Sequence, residues 1–236
     1  NNNIFQKLKK KKRKKMGKLI LYAIGGSAPC RAVLLTLKAL NVPFEYKIIN
    51  LLVGENRKPE YLAINPHGTV PTLTDDDDVL TDSHAIITYL VDKYGVDDSL
   101  YPKDLIQRAK VNKILFYEAT VVFERTLLTI SRSVFRSNNV ITSVKIHAIF
   151  IVYESLERFL LEHQYVAGDQ LTVADFSLIV TITTLFAYLE LDEKKFPKIV
   201  DWVRRMERLP YYAEGNGIGL KQYYDYVKSI GFKVLL

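Results

Sequence analysis

Short apolar segments alternate with turn residues between residues 19 and 96. Residues 19–24 are apolar without interruption and end at Gly25 and Gly26, which predicts a strand buried on both faces. A helix with Pro29 in its first turn follows, and the alternating residues 44–48 predict a second strand.

A β-hairpin and a capped helix are predicted next. Residues 69–74 and 79–81 form its strands, and the aspartates from Asp75 to Asp78 form its turn. Asp82 and Ser83 begin an apolar helix that ends at Gly95. The order β-α-β and then β-β-α predicts a small α/β unit.

The pattern becomes helical after a predicted linker over residues 97–102, and no convincing strand follows. Apolar residues at helical spacing cover 107–133, 143–163, 197–209 and 220–230. Thr172 and Asp175 form a capping box before a helix over 176–186 that is apolar on nearly all sides. We expect that helix to be the buried centre of a bundle.

Positive charge is concentrated at the N-terminus. The formal net charge is +7, but residues 1–15 hold eight basic residues and no acidic one, which leaves 25 of the 33 basic residues against 26 acidic ones. We expect residues 1–16 to form a disordered basic tail. Nuclear targeting or an anionic tether is one interpretation of the tail, and an upstream extension before a natural start at Met16 is the other.

Composition also excludes several classes of protein. Cys30 is the only cysteine, so an internal disulfide is impossible and a reducing, cytoplasmic location is expected. The chain shows neither a secretory signal nor a run of about 18 apolar residues, so we expect no membrane partner. The four histidines lack metal-ligand spacing, and the aromatic clusters lack the interleaved basic residues of a nucleic-acid site.

The strongest chemical signal lies between residues 65 and 90. Pro71 enters a strand and leaves Val70 extended, with backbone polar groups that are available to a ligand. Ser83 at a helix start offers a hydroxyl and free backbone N–H groups to an anion, although plain capping by Asp82 and Ser83 is the alternative. These features predict a site for a short peptide-like ligand that carries a carboxylate.

Eight short motifs occur in a fixed order along the chain. They are SAPCRA at 27–32, NLLVG at 50–54, KPE at 58–60, NP at 65–66 with TVP at 69–71, TDSHAI at 81–86, YG at 94–95, DSLYP at 98–102 and LTVADF at 171–176. Together they resemble the cytosolic glutathione transferases, most closely the insect-type delta and epsilon classes, over about residues 18–232. The resemblance implies a thioredoxin-like α/β domain at 17–96 that binds glutathione, an all-helical domain at 103–236 that forms the acceptor pocket, and a homodimer.

The resemblance also implies a role for Ser27. Glutathione reacts as a thiolate, whereas a free thiol with a pKa of about 8.5 is mostly protonated at neutral pH. The Ser27 hydroxyl, beside the positive end of the first helix, is the expected catalytic donor to the sulfur. Tyr22 is its rival, because other classes use a tyrosine near the first strand, and an ordinary loop serine is the third possibility.

The remaining glutathione contacts follow from the same resemblance. Val70 is expected to pair its backbone with the cysteinyl part, next to a cis Pro71. Ser83 is expected to bind the γ-glutamyl carboxylate and Asp82 the ammonium group, with an aspartate where many relatives have glutamate. Arg125 is expected near the mouth of the site, and a solvated helix face is the alternative.

The sequence departs from the family at the glycyl end of glutathione. The usual Asn-Pro-Gln-His pattern ends here in His67 and Gly68, and Asn56 stands where a further histidine is common. Whether His67 compensates stays open at this point. We expect glutathione affinity to be usable but weaker than low micromolar.

Four residues are expected to line an apolar acceptor pocket, together with late aromatics such as Tyr224, and core packing is the alternative for each. They are Phe123, Ile130, Phe135 and Tyr223. The expected function is conjugation of the glutathione thiolate to apolar electrophiles in detoxification, with glutathione as cosubstrate and no metal. A glutathione-dependent carrier of apolar ligands with little turnover is the alternative, and a scaffolding member of the fold is a third hypothesis.

Overall fold

The computed structural model describes residues 18–136 and 139–235. The basic tail expected over residues 1–16 lies outside these ranges. Among the described residues, no helix is long and apolar enough to span a membrane.

A four-stranded sheet forms the N-terminal unit, with the strand order β2-β1-β3-β4. The central strand β1 (Leu19–Ala23) is buried at all five positions, as its unbroken apolar run predicts. It is parallel to β2 (Glu45–Ile48) and antiparallel to β3 (Thr72–Asp75), which forms a hairpin with β4 (Asp78–Thr81). The mixed sheet and its helices are the thioredoxin-like arrangement that the resemblance implies.

The strand register brings three loops to one edge of this sheet. Tyr22 near the end of β1 lies opposite Thr72 at the start of β3, and Thr72 lies opposite Thr81 at the end of β4. Residues that follow β1, precede β3 and follow β4 therefore meet at the same edge. Ser27, Val70 and Ser83 occupy those three positions in the chain.

Three helices accompany the sheet. They are α1 (Ala28–Ala39), the single turn α2 (Pro59–Leu62) and α3 (Ser83–Tyr94). α1 and α3 pack against each other and bury Leu35, Leu37, Ile86, Ile87 and Leu90 completely. Each such side chain contributes about 1.5–3 kcal/mol through removal of its apolar surface from water.

A helical bundle forms the C-terminal unit. Its first part is a continuous stretch made of α4 (Leu105–Tyr117), a π-helical segment (Glu118–Leu128) and α5 (Thr129–Arg136). The other helices are α6 (Ser143–Phe159), α7 (Val173–Leu185), α8 (Pro197–Glu207) and α9 (Ile218–Ile230), the last preceded by a π-helical turn (Ala213–Gly217).

The helix α7 is the centre of the bundle, as its apolar sequence predicts. All its residues are buried, and its N-terminus carries the predicted capping box of Thr172 and Asp175. The Asp175 carboxylate accepts hydrogen bonds from Val166 N at 3.0 Å, Thr172 N at 2.9 Å and Trp202 Nε1 at 3.0 Å. Burial raises the pKa of Asp175 to about 6 despite these donors.

The prediction that no strand follows the linker is wrong. β5 (Val140–Thr142) and β6 (Lys233–Leu235) form a two-stranded parallel pair, in which Val140 lies opposite Lys233. Three residues are too few to show a strand period, and their pairing is set by the distant packing of the bundle. The second unit is therefore helical with one small sheet.

Candidate active site

Ser27 lies at the N-terminal end of α1, and its hydroxyl lies near the thiol of Cys30. It is the N-cap residue, in an extended conformation, yet its side chain makes no capping hydrogen bond. Its backbone closes the turn instead, because Ser27 N donates to Ile24 O at 3.1 Å and Ser27 O accepts from Arg31 N at 3.1 Å. A half-buried O–H at the positive end of a helix suits an anionic ligand.

The other two candidates near Ser27 are packed into the protein. Tyr22 is buried on the sheet with its ring 6.0 Å from that of Tyr61, so the geometry favours Ser27 over this rival. Cys30 is 2% exposed, and burial raises the pKa of its thiol to about 11. Cys30 is therefore a small, protonated core residue, as expected from its place in the helix.

A buried asparagine shapes the segment before β3. Asn65 is fully buried, and its Nδ2 donates to Thr69 O at 2.9 Å and Thr72 Oγ1 at 2.9 Å. Tyr61 Oη donates to the same Thr69 carbonyl at 2.6 Å. The next residue, Val70, has no hydrogen-bond partner for its backbone among the described residues, so both of its polar groups are available to an extended ligand.

The peptide bond between Val70 and Pro71 is cis, as the resemblance implies. Pro71 itself is buried, whereas Val70 is half-buried. The backbone polar groups of Val70 are thus presented at the sheet edge where the loop after β1 also ends.

Asp82 and Ser83 differ in their roles at the start of α3, because Asp82 caps the helix and Ser83 does not. Asp82 is the N-cap, and its Oδ1 accepts from His84 N at 2.9 Å and Ala85 N at 3.2 Å. The capping interpretation is thus confirmed for Asp82. Ser83 is the first helical residue, 6% exposed, and its hydroxyl has no hydrogen bond to a described residue. The hydroxyl and the helix N-terminus remain available to a carboxylate.

His84 connects this helix start to the C-terminal bundle. Its Nε2 lies 2.6 Å from Glu118 Oε2, and its Nδ1 lies 3.3 Å from Asp82 Oδ1. Glu118 is buried and accepts hydrogen bonds from Ser177 Oγ at 3.2 Å and Thr181 Oγ1 at 2.5 Å, both on α7. Burial lowers the pKa of His84, but Asp82 and Glu118 outweigh it and raise the pKa to about 9.

This ion pair between the two units was not foreseen from the sequence. Hydrogen bonding to His84 lowers the pKa of Asp82, so the carboxylate at the helix start is ionised at neutral pH. The sequence places His84 and Glu118 in two separate predicted helices, and no local pattern joins them.

Steric crowding explains why Gly68 stands where the family has a histidine at the glycyl end of glutathione. Gly68 has φ +62°, and a side-chain Cβ there would lie 2.7 Å from Asn56 O and 3.0 Å from Arg57 Nη1. Asn56 Nδ2 also donates to Gly68 O at 2.7 Å. The loop therefore excludes a histidine at position 68, and it places the exposed Arg57 and His67 side by side, with Arg57 Nη1 donating to His67 O at 3.4 Å.

Two aromatic candidates lie close to the loop that precedes Ser27. The Phe135 and Tyr223 rings meet edge to face at 6.0 Å, and Tyr223 Oη is 3.0 Å from Ser131 Oγ. A Cβ at Gly26 would lie 3.9 Å from the Tyr223 ring. The structure thus brings Phe135 and Tyr223 together beside the turn.

The remaining candidates for the acceptor pocket and its mouth do not have a shown position beside the turn before Ser27. Ile130 is 0% exposed, so it offers no surface to an acceptor and its assignment to the pocket wall is corrected to a core position. Tyr224 Oη donates to Thr183 O inside the bundle, and Phe123 is half-buried against the core. Arg125 is exposed and makes no hydrogen bond through its side chain to a described residue, which fits a solvated helix face.

Arg31 is a buried residue of this region for which sequence reasoning assigned no role. Its side chain is 1% exposed, and its Nη1 donates to the carbonyl oxygens of Gly25 at 3.3 Å and Gly26 at 3.0 Å. The available signal was a basic residue in the first turn of the helix, directly before the apolar run of residues 32–35. Within the described ranges, no group of His, Cys, Asp and Glu side chains is arranged to hold a metal ion.

Known proteins resemble this chain over most of its length. Two family models match, the glutathione S-transferase N-terminal domain over residues 21–99 and the C-terminal domain over residues 143–210. Glutathione S-transferase 1 of Manduca sexta is 35% identical over 213 residues, which are 89% of this chain and 98% of that protein.

Solved structures agree with these matches. The structure of an epsilon-class glutathione S-transferase from the housefly, Musca domestica, is 49% identical and superposes with a TM-score of 0.90, covering 92% of this chain and 100% of its own. A glutathione transferase homologue from Drosophila mojavensis with bound glutathione is 48% identical, with a TM-score of 0.90 over 93% of this chain and 100% of its own.

Proposed function

Because this chain belongs to the glutathione S-transferase family, we propose that it conjugates glutathione, through its sulfur, to apolar electrophiles, in the manner of a detoxifying enzyme. The observation that carries the proposal is the Ser27 hydroxyl, which does not cap its own helix. It shares one sheet edge with the Val70 backbone and the Ser83 hydroxyl, neither of which is hydrogen-bonded to a described residue. No comparison supports the alternative of a carrier with little turnover.

Glutathione is held along this edge in the proposed complex. The N–H and C=O groups of Val70 pair with the cysteinyl backbone, as in strand addition. The Ser83 hydroxyl and the first N–H groups of α3 bind the γ-glutamyl carboxylate, and the ionised Asp82 attracts the ammonium group. At the glycyl end, the exposed Arg57 guanidinium takes the place of the missing histidines as the group that attracts the carboxylate.

The reaction needs the thiol in its ionised form. The thiol proton passes to solvent, and the remaining thiolate accepts a hydrogen bond from the Ser27 hydroxyl near the positive end of α1. The sulfur then attacks an electron-poor carbon of the acceptor, where a carbon–sulfur bond forms and the leaving group departs with its electron pair. Ser27 stabilises the nucleophile and forms no covalent bond itself.

The acceptor is expected to lie against Phe135 and Tyr223, beside the turn that leads to Ser27. Phe123 and Arg125 stay predictions for the outer part of the pocket. A homodimer in the cytoplasm is also part of the proposal. Support for a second copy comes from α4, where Leu105, Ile106 and Phe116 are large apolar residues that are exposed in one chain.

The proposal is tested by replacing Ser27 with alanine. Conjugation of an aryl halide by Ser27→Ala is expected to fall about 100-fold, the typical cost of one preorganised donor. Ser99→Ala is the matched control, because Ser99 is an exposed linker residue whose hydroxyl donates to Asp97 in the same linker. Equal rates for the wild-type protein and Ser27→Ala would refute the proposed role.

A further inference from the structure

Arg31 is a cation inside the protein that makes no ion pair with a described residue. It is 1% exposed and lies where α1 packs against α7 and the π-helical turn before α9. Burial lowers the pKa of Arg31 to about 10, so the guanidinium is charged at neutral pH. Burying a charge is costly unless an opposite charge or a complete set of hydrogen bonds compensates it.

Only neutral acceptors surround the guanidinium among the described residues. Nε donates to Asn216 Oδ1 at 2.8 Å, and Nη2 donates to Val180 O at 3.1 Å and to Thr184 Oγ1. The hydrogen bonds satisfy the N–H groups, but no carboxylate neutralises the charge.

The titratable groups that face Arg31 do not supply an anion either. Cys30 lies on its own helix, and Tyr212, Tyr223 and Tyr224 face it from the C-terminal unit. Burial raises the pKa of all four groups above its ordinary value, so all are neutral at pH 7. The helix α7 contributes only Val180 and Thr184 to the guanidinium.

The remaining N–H groups of Arg31 point toward the catalytic turn. Nη1 binds the carbonyl oxygens of Gly25 and Gly26, the two residues directly before Ser27. On the other side, Gly219 of α9 packs so closely that a Cβ there would lie 2.9 Å from Arg31 Cδ. The hydrogen bonds from Arg31 to Gly25 O and Gly26 O hold the turn in place, and we call them the clamp. They also place a buried positive charge behind the turn.

We propose that Arg31 is a positioning residue whose guanidinium holds the turn before Ser27 and serves as the buried counter-charge of the bound glutathione thiolate. This inference rests on the proposed function, because the sulfur is the anion that glutathione would bring to Ser27. When the thiol proton passes to solvent, the nearby cation lowers the free energy of the anion left behind. Solvent screens the guanidinium little, because Arg31 is 1% exposed.

The variant Asn216→Asp tests the charge without removing the clamp. An aspartate has nearly the same shape, its carboxylate still accepts from Arg31 Nε, and Tyr212 Oη can donate to it. The new anion neutralises the guanidinium, so the pKa of the bound glutathione thiol is expected to rise by roughly one unit. Titration of the thiolate ultraviolet absorbance in the protein–glutathione complex measures this pKa, and the pH profile of kcat/KM is expected to move with it.

Thr184→Val is the matched control for the clamp. It removes one hydrogen bond to Arg31 and leaves every charge in place, so the pKa of the bound thiol is expected to stay at the wild-type value. Arg31→Lys keeps the charge with fewer donors and is expected to keep most of the lowered thiol pKa.

Two results would overturn the role of Arg31. One is a bound thiol of unchanged pKa in Asn216→Asp, and the other is an equal rise in Asn216→Asp and Thr184→Val, which would assign the effect to the turn's position alone. In both cases a wild-type complex with a lowered thiol pKa leaves the proposed function intact. A wild-type protein that does not lower the thiol pKa refutes both proposals.

Discussion

Raising the pH is expected to weaken the ion pair by which His84 joins the two units of the protein. Contacts with Asp82 and Glu118 raise the pKa of His84 from 6.5 to about 9, against the opposing effect of burial. Because the folded state binds the proton more tightly than the unfolded state, the stabilisation is complete below about pH 6.5. It is lost as the pH rises through about 9.

The size of this effect follows from the pKa difference. A rise from 6.5 to about 9 corresponds to about 3 kcal/mol of unfolding free energy, at about 1.4 kcal/mol per unit. Solvent screens the contact between His84 and Glu118 little, because their side chains are 18% and 4% exposed. The contact with Asp82, whose side chain is 65% exposed, is screened more and contributes less. A loss of this size is a large part of the stability of an ordinary domain.

Urea unfolding at about pH 6 and about pH 10 measures the prediction. The wild-type protein is expected to lose about 3 kcal/mol more than His84→Gln between these two conditions. His163→Gln is the control, because it removes an exposed histidine and is expected to behave as the wild type. An equal loss in the wild type and in His84→Gln would refute the reasoning.

Two further substitutions test the glutathione-binding edge. Asn65→Ala leaves the Thr69 carbonyl with fewer donors; it is expected to cost about 1–3 kcal/mol of unfolding free energy and to raise the dissociation constant of glutathione in calorimetry. Unchanged affinity would show that this segment does not shape the site. Arg57→Ala is expected to raise the KM for glutathione about tenfold through loss of the glycyl contact, whereas Arg204→Ala, at an exposed arginine of α8, leaves it unchanged. Equal values for both arginine variants would exclude Arg57 from the site.

The sequence predicts best the elements whose ends carry their own signals. The helix over Ser83–Tyr94 has the predicted bounds, because Asp82 caps its first N–H groups and Gly95 follows its last residue. The strand β1 could also be predicted from the sequence, because a strand that is covered on both faces needs an unbroken apolar run. These signals are local, so no knowledge of the fold is needed to interpret them.

Contacts between distant parts of the chain were not predictable. Arg31 meets Val180 and Asn216 across 149 and 185 positions, and His84 meets Glu118 across 34 positions. Each of these residues looks ordinary in its own helix, since its partner is chosen by the packing of the two units. The π-helical segment Glu118–Leu128 was missed for a related reason, because it continues the apolar pattern of the helices on both sides.

Part of the candidate site could be proposed from the sequence, but the assignment of Ile130 to the pocket is corrected by the structure. The sequence names Ser27, Val70 and Ser83 as candidates, and the strand register explains why their segments lie at one edge of the sheet. Ile130 was placed in the pocket but belongs to the core, because an apolar residue at helical spacing can serve either purpose. Resemblance to a family supplied the chemistry of the cosubstrate, which no single motif contains.

The central helix α7 couples two parts of the proposed glutathione site, the γ-glutamyl position and the position of the sulfur. Ser177 and Thr181 donate to Glu118, which pairs with His84 at the proposed γ-glutamyl site. Val180 and Thr184 accept hydrogen bonds from Arg31, behind the proposed position of the sulfur. These four positions lie within two turns of one rigid, close-packed rod. A distant mutation that shifts this helix would displace both positions together. In the proposed complex it is therefore expected to change the affinity for the tripeptide and the acidity of its thiol in parallel.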